Sequence, residues 1–348
     1  MLRLVASRCS VGTAVVATSH LARCEALERH NTESGVRRHV TPVKELEQEV
    51  IVLERQVPGE PLARVSLEDM IADLADPERR LVLFGESHDD AVAQDLECTV
   101  YDGVARRRDG RKVSLALEFV DGDRRAAAKA FSAGDTDDVR SLFRGPGDCA
   151  KYGPLARLAK TLKNDVVAAN ASRRHARLVA REGPGALDGV SDAEKALLPP
   201  LPYAAQPLSP GYAERLRRIG FGANKVAAQC LWDATMAYNC LASLAAGAHG
   251  VMLVCGRFHV QHFLGVVDHV EHYSERGDFP PVERDEFRVV VCLPMEANAF
   301  AHKAATDVWD DPSLDTVADF IVLTKARETA EPAAAGPPAK FAGKTCPF

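Results

Sequence analysis

Four apolar runs in this chain each end on a polar side chain capable of chemistry, and no other feature narrows the fold as much. Residues 81–84 end in Gly85-Glu86-Ser87-His88, residues 113–117 in Glu118, residues 166–169 in Asn170, and residues 251–255 in Gly256-Arg257-Phe258-His259. Short apolar runs followed by helical patterns read as buried parallel strands. Residues 89–108 supply one such pattern, with Val92, Leu96, Val100 and Val104 on one face, and residues 226–244 return to the same spacing. The expected architecture is α/β, a single main domain with a central, mainly parallel β-sheet flanked by helices. Further strands are expected at 287–293 and 319–324. Ligands of such sheets bind beyond the carboxyl ends of the strands. Glu86, His88, Glu118, Asn170 and His259 are therefore expected to converge there.

A chain of 348 residues can bury a sizeable core. Its net charge of −6 gives no general attraction to phosphate backbones, so nucleic acid is not an expected partner. No stretch reaches the length of a membrane-spanning helix. Nine scattered cysteines, without a Cys-x-x-Cys pair, argue against a disulfide framework and against a structural zinc finger. Cys255 and Cys292 sit in apolar runs, where cysteine serves as a small hydrophobe.

Residues 1–24 carry Arg3, Arg8 and Arg23 and no acid before Glu25, which reads as an organelle transit peptide. The expected location is a mitochondrion or plastid, with the cytoplasm as the alternative. Leu21-Ala22-Arg23-Cys24 departs from a lipoprotein cleavage box at Arg23. Three regions follow: a leader and charged arm over 1–60, an α/β domain over 61–325, and a disordered tail over 326–348. Within the domain, the Pro- and Gly-rich residues 183–222 read as an insertion or lid.

Carboxylates and imidazoles gathered at a sheet edge suit a divalent metal such as Zn, Mn or Co. A carboxylate that escapes the metal can serve as general base to a bound water. Each Gly-x-x-His needs its glycine where the chain turns sharply out of the strand. Gln229 and Asp233, four residues apart, share a helix face and are expected over the crevice as partners that orient a histidine. Arg173, just past Asn170, would attract carboxylate groups on a ligand. His262, His269 and His272 are expected at the surface.

The motifs carry a family likeness. Gly85-Glu86-Ser87-His88-Asp89 with Leu117-Glu118-Phe119 resembles the opening of the ChaN-like haem-binding uptake family, which shares a superfamily with the TIKI proteins. The likeness continues through Tyr152-Gly153-Pro154-Leu155, residues 166–170, residues 228–237, Gly256-Arg257-Phe258-His259-Val260 and residues 318–323, in order. For bacterial ChaN-like proteins the resemblance implies haem, with iron held by a tyrosine in a homodimer. For the TIKI relatives it implies a metal-dependent protease whose motif positions map onto Glu86, His88, Glu118 and His259. Tyr152 is the candidate axial ligand under the first implication, with Asn170, Arg173, Gln229 and Asp233 around the cofactor. Under the second, Glu86 and Glu118 are the catalytic candidates and the ligand is a small molecule or peptide. Arg257 and Phe258 replace the smaller or more polar residues common in the second motif.

Overall fold

The structure is a computed structural model that describes residues 40–57, 60–304, 314 and 316–327. Its strands are β1 (Val50–Glu54), β2 (Ala63–Val65), β3 (Leu81–Glu86), β4 (Val113–Asp121), β5 (Val166–Asn170), β6 (Gly250–Gly256), β7 (Phe287–Met295) and β8 (Phe320–Lys325). They form one sheet in the order β2-β1-β8-β7-β3-β6-β4-β5. From β8 to β5 every neighbour is parallel, while β1 runs antiparallel to β2 and to β8.

The central strands are apolar throughout because both faces of the sheet are covered. Every residue of β3 and of β6 is buried. Leu81 and Leu83 share one side with Val251, Leu253, Cys255, Ala116 and the long helix Ala223–Ala245. The helix Ala91–Arg107 starts where Asp90 accepts from the backbone N–H groups of Val92 and Ala93, each at 3.1 Å.

The order of strands makes the site. From β3 the chain moves outward to β4 and β5, then returns to place β6 between β3 and β4 before crossing to β7 and β8. The carboxyl ends of β3, β6 and β4 thus lie side by side where the winding reverses, the place at which open α/β sheets bind ligands.

Several boundaries differ from the sequence reading. Within the residues taken as a charged arm, Val50–Glu54 is a sheet strand, its apolar run pairing with β8 on one side and β2 on the other. Residues 183–222 are not a detached lid. Leu187, Leu198, Tyr203, Tyr212 and Leu216 are buried, and the segment includes the helix Pro210–Arg218. The helix after His259 begins only at Val266, because Gly265 has φ +65° and Leu264 is extended. His269 is buried, not at the surface, and burial brings its imidazole down to about 4. Of the expected tail, Ala326 donates to the Met295 carbonyl at 2.8 Å and Arg327 pairs with Glu49 and Asp95, so the domain extends through both. The leader (1–24) and residues 328–348 lie outside the described residues. Among the described residues, Cys98, Cys149, Cys230, Cys240, Cys255 and Cys292 are free thiols, and no helix is long and apolar enough to cross a membrane.

Candidate functional site at the carboxyl edge

Glu86 closes β3 and is 1% exposed. Its Oε1 takes the His88 Nδ1 proton at 2.6 Å and the Tyr152 hydroxyl at 3.1 Å, while Oε2 is buried without a partner. His88, two residues past the strand, has a side chain 51% exposed. Its ring meets Phe119 edge-on at 5.4 Å, and Phe119 stacks on Tyr152 at 3.5 Å. Lys151 and Gln94 both donate to the His88 carbonyl, which holds the turn in place.

His259 follows β6 and is buried. Its Nδ1–H donates to Asp233 Oδ1 at 2.5 Å, and its Nε2 stands 3.5 Å from Glu118 Oε1. The other Asp233 oxygen accepts the Tyr212 hydroxyl at 2.5 Å. Glu118 Oε2 accepts the Gly256 N–H at 2.7 Å. Gln229 Nε2 lies 3.1 Å from His259 Nδ1. Since Nδ1 gives its proton to Asp233, an amide turned over would set the unpartnered Gln229 Oε1 against that N–H.

The two halves meet over Gly256. A Cβ there would stand 2.9 Å from His88 Cε1, 3.3 Å from His88 Nε2 and 3.6 Å from Glu118 Oε2. Glycine at this position leaves room for the imidazole where a side chain would displace it. Gly265 is required for a second reason: with φ +65°, its Cβ would lie 2.6 Å from the His259 carbonyl oxygen.

The charges follow from these contacts. Burial would raise Glu118, but the charges of His259 and His88 and the hydrogen bonds of His259 and Gly256 bring it down to about 2. Burial would lower His259, yet Glu118 and Asp233 on either side hold it well above the usual imidazole range. Glu86 is raised by burial, against the pull of His88. His88 is raised chiefly by its hydrogen bond to Glu86, and the charges of Glu118 and Glu86 add to this. The site therefore holds a buried His259 between Asp233 and Glu118, behind one imidazole that opens outward.

Of the residues singled out in the sequence, the structure brings together Glu86, His88, Glu118, His259, Gln229 and Asp233. Tyr152 joins them but faces inward: it is 1% exposed, gives its hydroxyl to Glu86, and burial pushes its phenol far above the usual range. As the candidate axial ligand of the sequence it is therefore found with its hydroxyl already given to a carboxylate. Asn170 is buried at the end of β5 with Oδ1 unpartnered, in register with Asp121. Arg173 is exposed in the first turn of Arg173–Glu182, and neither residue enters the hydrogen-bonded cluster. Tyr212 was not foreseen, since it lies in the Pro-rich segment with no motif to mark it. Phe119 adjoins Glu118 and could have been found from that position alone.

The four acids and imidazoles are neighbours without being gathered for coordination: among the described residues, no three His, Cys, Asp or Glu stand as a ready metal site.

A family model described as haem-binding uptake, Tiki superfamily, ChaN matches residues 70–270. Among solved structures, that of ChaN from Campylobacter jejuni with cofacially bound haem is similar at 16% identity and a TM-score of 0.53. The match covers 80% of this chain and 98% of that one, and shows the fold alone. A Bacillus cereus protein matches at 10% identity and a TM-score of 0.43 over 81% and 96% of the two chains, a likeness too low to carry an argument. No curated protein matches the chain.

Proposed function

The chain belongs to the haem-binding uptake ChaN family of the Tiki superfamily, and from that premise we propose that it binds haem, or another iron tetrapyrrole, at the carboxyl edge of β3 and β6 through His88. The observation that carries this reading is the half-exposed His88 ring with Nδ1–H held by the buried Glu86 carboxylate at 2.6 Å. A carboxylate on one ring nitrogen fixes the tautomer, leaves the lone pair on the other and makes it a better iron ligand. Glu86 cannot swing away, because the Tyr152 hydroxyl holds the same oxygen.

The tyrosine-held iron that the resemblance implies does not fit this chain. Of its six tyrosines, Tyr101, Tyr152, Tyr203, Tyr212 and Tyr273 are buried, and half-buried Tyr238 packs against Tyr273 and Phe279. An imidazole donor set does fit. Were haem bound at this edge, His88 would hold its iron, which would supply a Lewis-acidic, redox-active centre, and Phe119 and Gly256 limit the rotation of the imidazole.

The test is a haem titration followed at the Soret band. Wild type should show a saturable shift at haem concentrations on the order of micromolar. Tyr152→Phe should keep the shift and His88→Ala should lose it. A wild type without a saturable shift, or a His88→Ala variant that binds as wild type does, refutes the reading.

A second reading, a divalent-metal hydrolase of peptide or ester bonds, is favoured by the convergence of Glu86, His88, Glu118 and His259 about Gly256. It requires His88 and Glu118 to close on an ion, with Glu86 or Glu118 left as base to a bound water. Stoichiometric Zn, Mn or Co in the purified protein, without a Soret band, would select it.

A further inference from the structure

One short helix, Pro210–Arg218, touches both Gly-x-x-His motifs through separate chains of hydrogen bonds. A helix of nine residues is marginal in water without tertiary support. This one buries only Tyr212 and Leu216, and the residues at its two ends, Leu208 and Ile219, are 40% and 48% exposed. So little apolar surface leaves its seat to be set by polar contacts. At its start, the hydroxyl of the N-cap Ser209 donates to Asp268 Oδ2 at 3.0 Å, and the same oxygen accepts the Gly265 N–H at 2.9 Å.

Tyr212 and Arg215, three positions apart, share a face of this helix but lead to different motifs. Tyr212 leads to the second: its hydroxyl goes to Asp233 Oδ2 at 2.5 Å, and Asp233 Oδ1 takes the His259 Nδ1 proton at 2.5 Å. Arg215 leads to the first. Its guanidinium lies over the Phe258 ring at 4.0 Å and donates to the Gln261 backbone carbonyl at 3.3 Å. Gln261 Oε1 accepts Arg257 Nη1 at 3.2 Å, and Arg257 Nε donates to Ser87 Oγ at 3.1 Å, one residue before His88. The two routes meet at Gly256, against which the His88 ring lies and whose N–H holds Glu118.

The loop that carries Gln261 has little slack with which to absorb a movement of the helix. His262 and Phe263 hold left-handed φ of 64° and 56°, which a non-glycine chain keeps only where its surroundings fix it. The His262 N–H is tied to the Val317 carbonyl at 2.7 Å, and the Phe263 ring packs under Arg55 at 4.6 Å and Arg284 at 4.7 Å. Because Tyr212 and Arg215 ride on one helical turn, a shift that withdraws the hydroxyl from Asp233 also moves the guanidinium that steadies Gln261 and Arg257.

We propose that Pro210–Arg218 is a coupling arm that keeps His88 and His259 in register with each other. Tyr212 and Arg215 are its positioning residues, acting through Asp233 on one side and through Gln261 and Arg257 on the other. The coupling holds whichever ligand the edge takes. By reciprocity, whatever binds at His88 steadies the helix in turn.

The test reads the two imidazoles directly, without ligand, in long-range proton–nitrogen spectra of protein carrying nitrogen-labelled histidine. His88→Gln and His259→Gln assign the signals. Tyr212→Phe and Arg215→Met should each shift or split the signals of both rings, although neither residue touches His88. Arg215→Lys, which can still donate to the Gln261 carbonyl, should recover most of the wild-type pattern. Tyr203→Phe is the control: it removes a hydrogen bond of the same Pro-rich segment, to the Ala227 carbonyl at 2.9 Å, that leads to neither motif, and should leave both rings unchanged. Thermal melts confirm that each variant is folded. Should Tyr212→Phe not fold, Arg215→Met, changed at a half-buried side chain, carries the test alone. Rings unchanged in Arg215→Met, effects confined to one ring in each variant, or a control that moves both rings as the others do overturns the coupling.

Discussion

Asp233→Asn should be felt across the whole site, because Asp233 is fully buried and its two oxygens hold His259 and Tyr212, each at 2.5 Å. The change keeps the shape, removes the charge and leaves one oxygen for two donors. His259 then retains only Glu118, at 3.5 Å, as a charge partner. Breaking a buried ion pair costs about 3–5 kcal/mol. The remaining glutamate and one surviving hydrogen bond place the expectation near the lower end, at about 3 kcal/mol, or a fall in Tm of about 6–10 °C in a domain of this size. The sign with pH follows from linkage. The folded His259 is raised above its ordinary 6.5, so its contribution is complete below that pH and is lost as pH rises through the raised value. Glu118 runs the other way, from an ordinary 4.5 to about 2, so its contribution is present above 4.5 and is lost as pH falls toward 2. Both act between these ordinary values. The gap in Tm between wild type and variant should be largest there and should narrow in alkali. Melts followed by circular dichroism across that range provide the measurement. A variant melting within about 1 °C of wild type at every pH would show that His259 is not held as a buried cation.

Three further outcomes can be checked. Gly256→Ala should push His88 off Glu86, because the new methyl would stand 2.9 Å from Cε1; we expect a loss of about 1.5–3 kcal/mol in chemical denaturation, with weaker haem binding alongside. Glu97, fully buried with Oε1 unpartnered, is raised well above the usual carboxylate range by burial first and then by Glu86. Its ionisation therefore opposes folding increasingly above its ordinary pKa, so Glu97→Gln should gain stability relative to wild type as pH rises, and parallel pH profiles would contradict this. Removal of residues 1–24, which carry no core periodicity, should leave Tm unchanged; on the transit-peptide reading it should also abolish organelle import, and an unchanged location in fractionated cells would count against that reading.

Much of the site was legible because strand ends are written locally. The apolar run before Glu86 becomes β3, the run before Glu118 becomes β4, and the run before Gly256 becomes β6. Gln229 and Asp233 were readable by helical spacing, and both reach His259. Tyr152 was readable both as a packed tyrosine and as a site neighbour; what the sequence did not carry is that Phe119 of β4 stacks on it and that its hydroxyl goes to Glu86. The Pro-rich residues 183–222 resemble a surface insertion in composition, yet their aromatic and leucine side chains close the core. His269 shows the same limit: an i, i+3 pattern marks a buried face without fixing which side of that face lies inward.

By itself the sequence determined the kinds of element present and the chemistry at their ends: apolar strands too uniform to tolerate solvent on either face, glycines where an imidazole needs room, carboxylates and histidines at the exits. The tertiary structure alone decided which of these meet. Insertion of β6 between β3 and β4 brings His259 to Glu118 and lays His88 over Gly256, and the fold returns Tyr212 to Asp233 and Arg215 to Gln261. Neighbouring parallel strands expose equivalent backbone donors and acceptors and similar apolar faces. Their order is therefore settled by how the connecting helices pack, a collective property that no local stretch of residues carries.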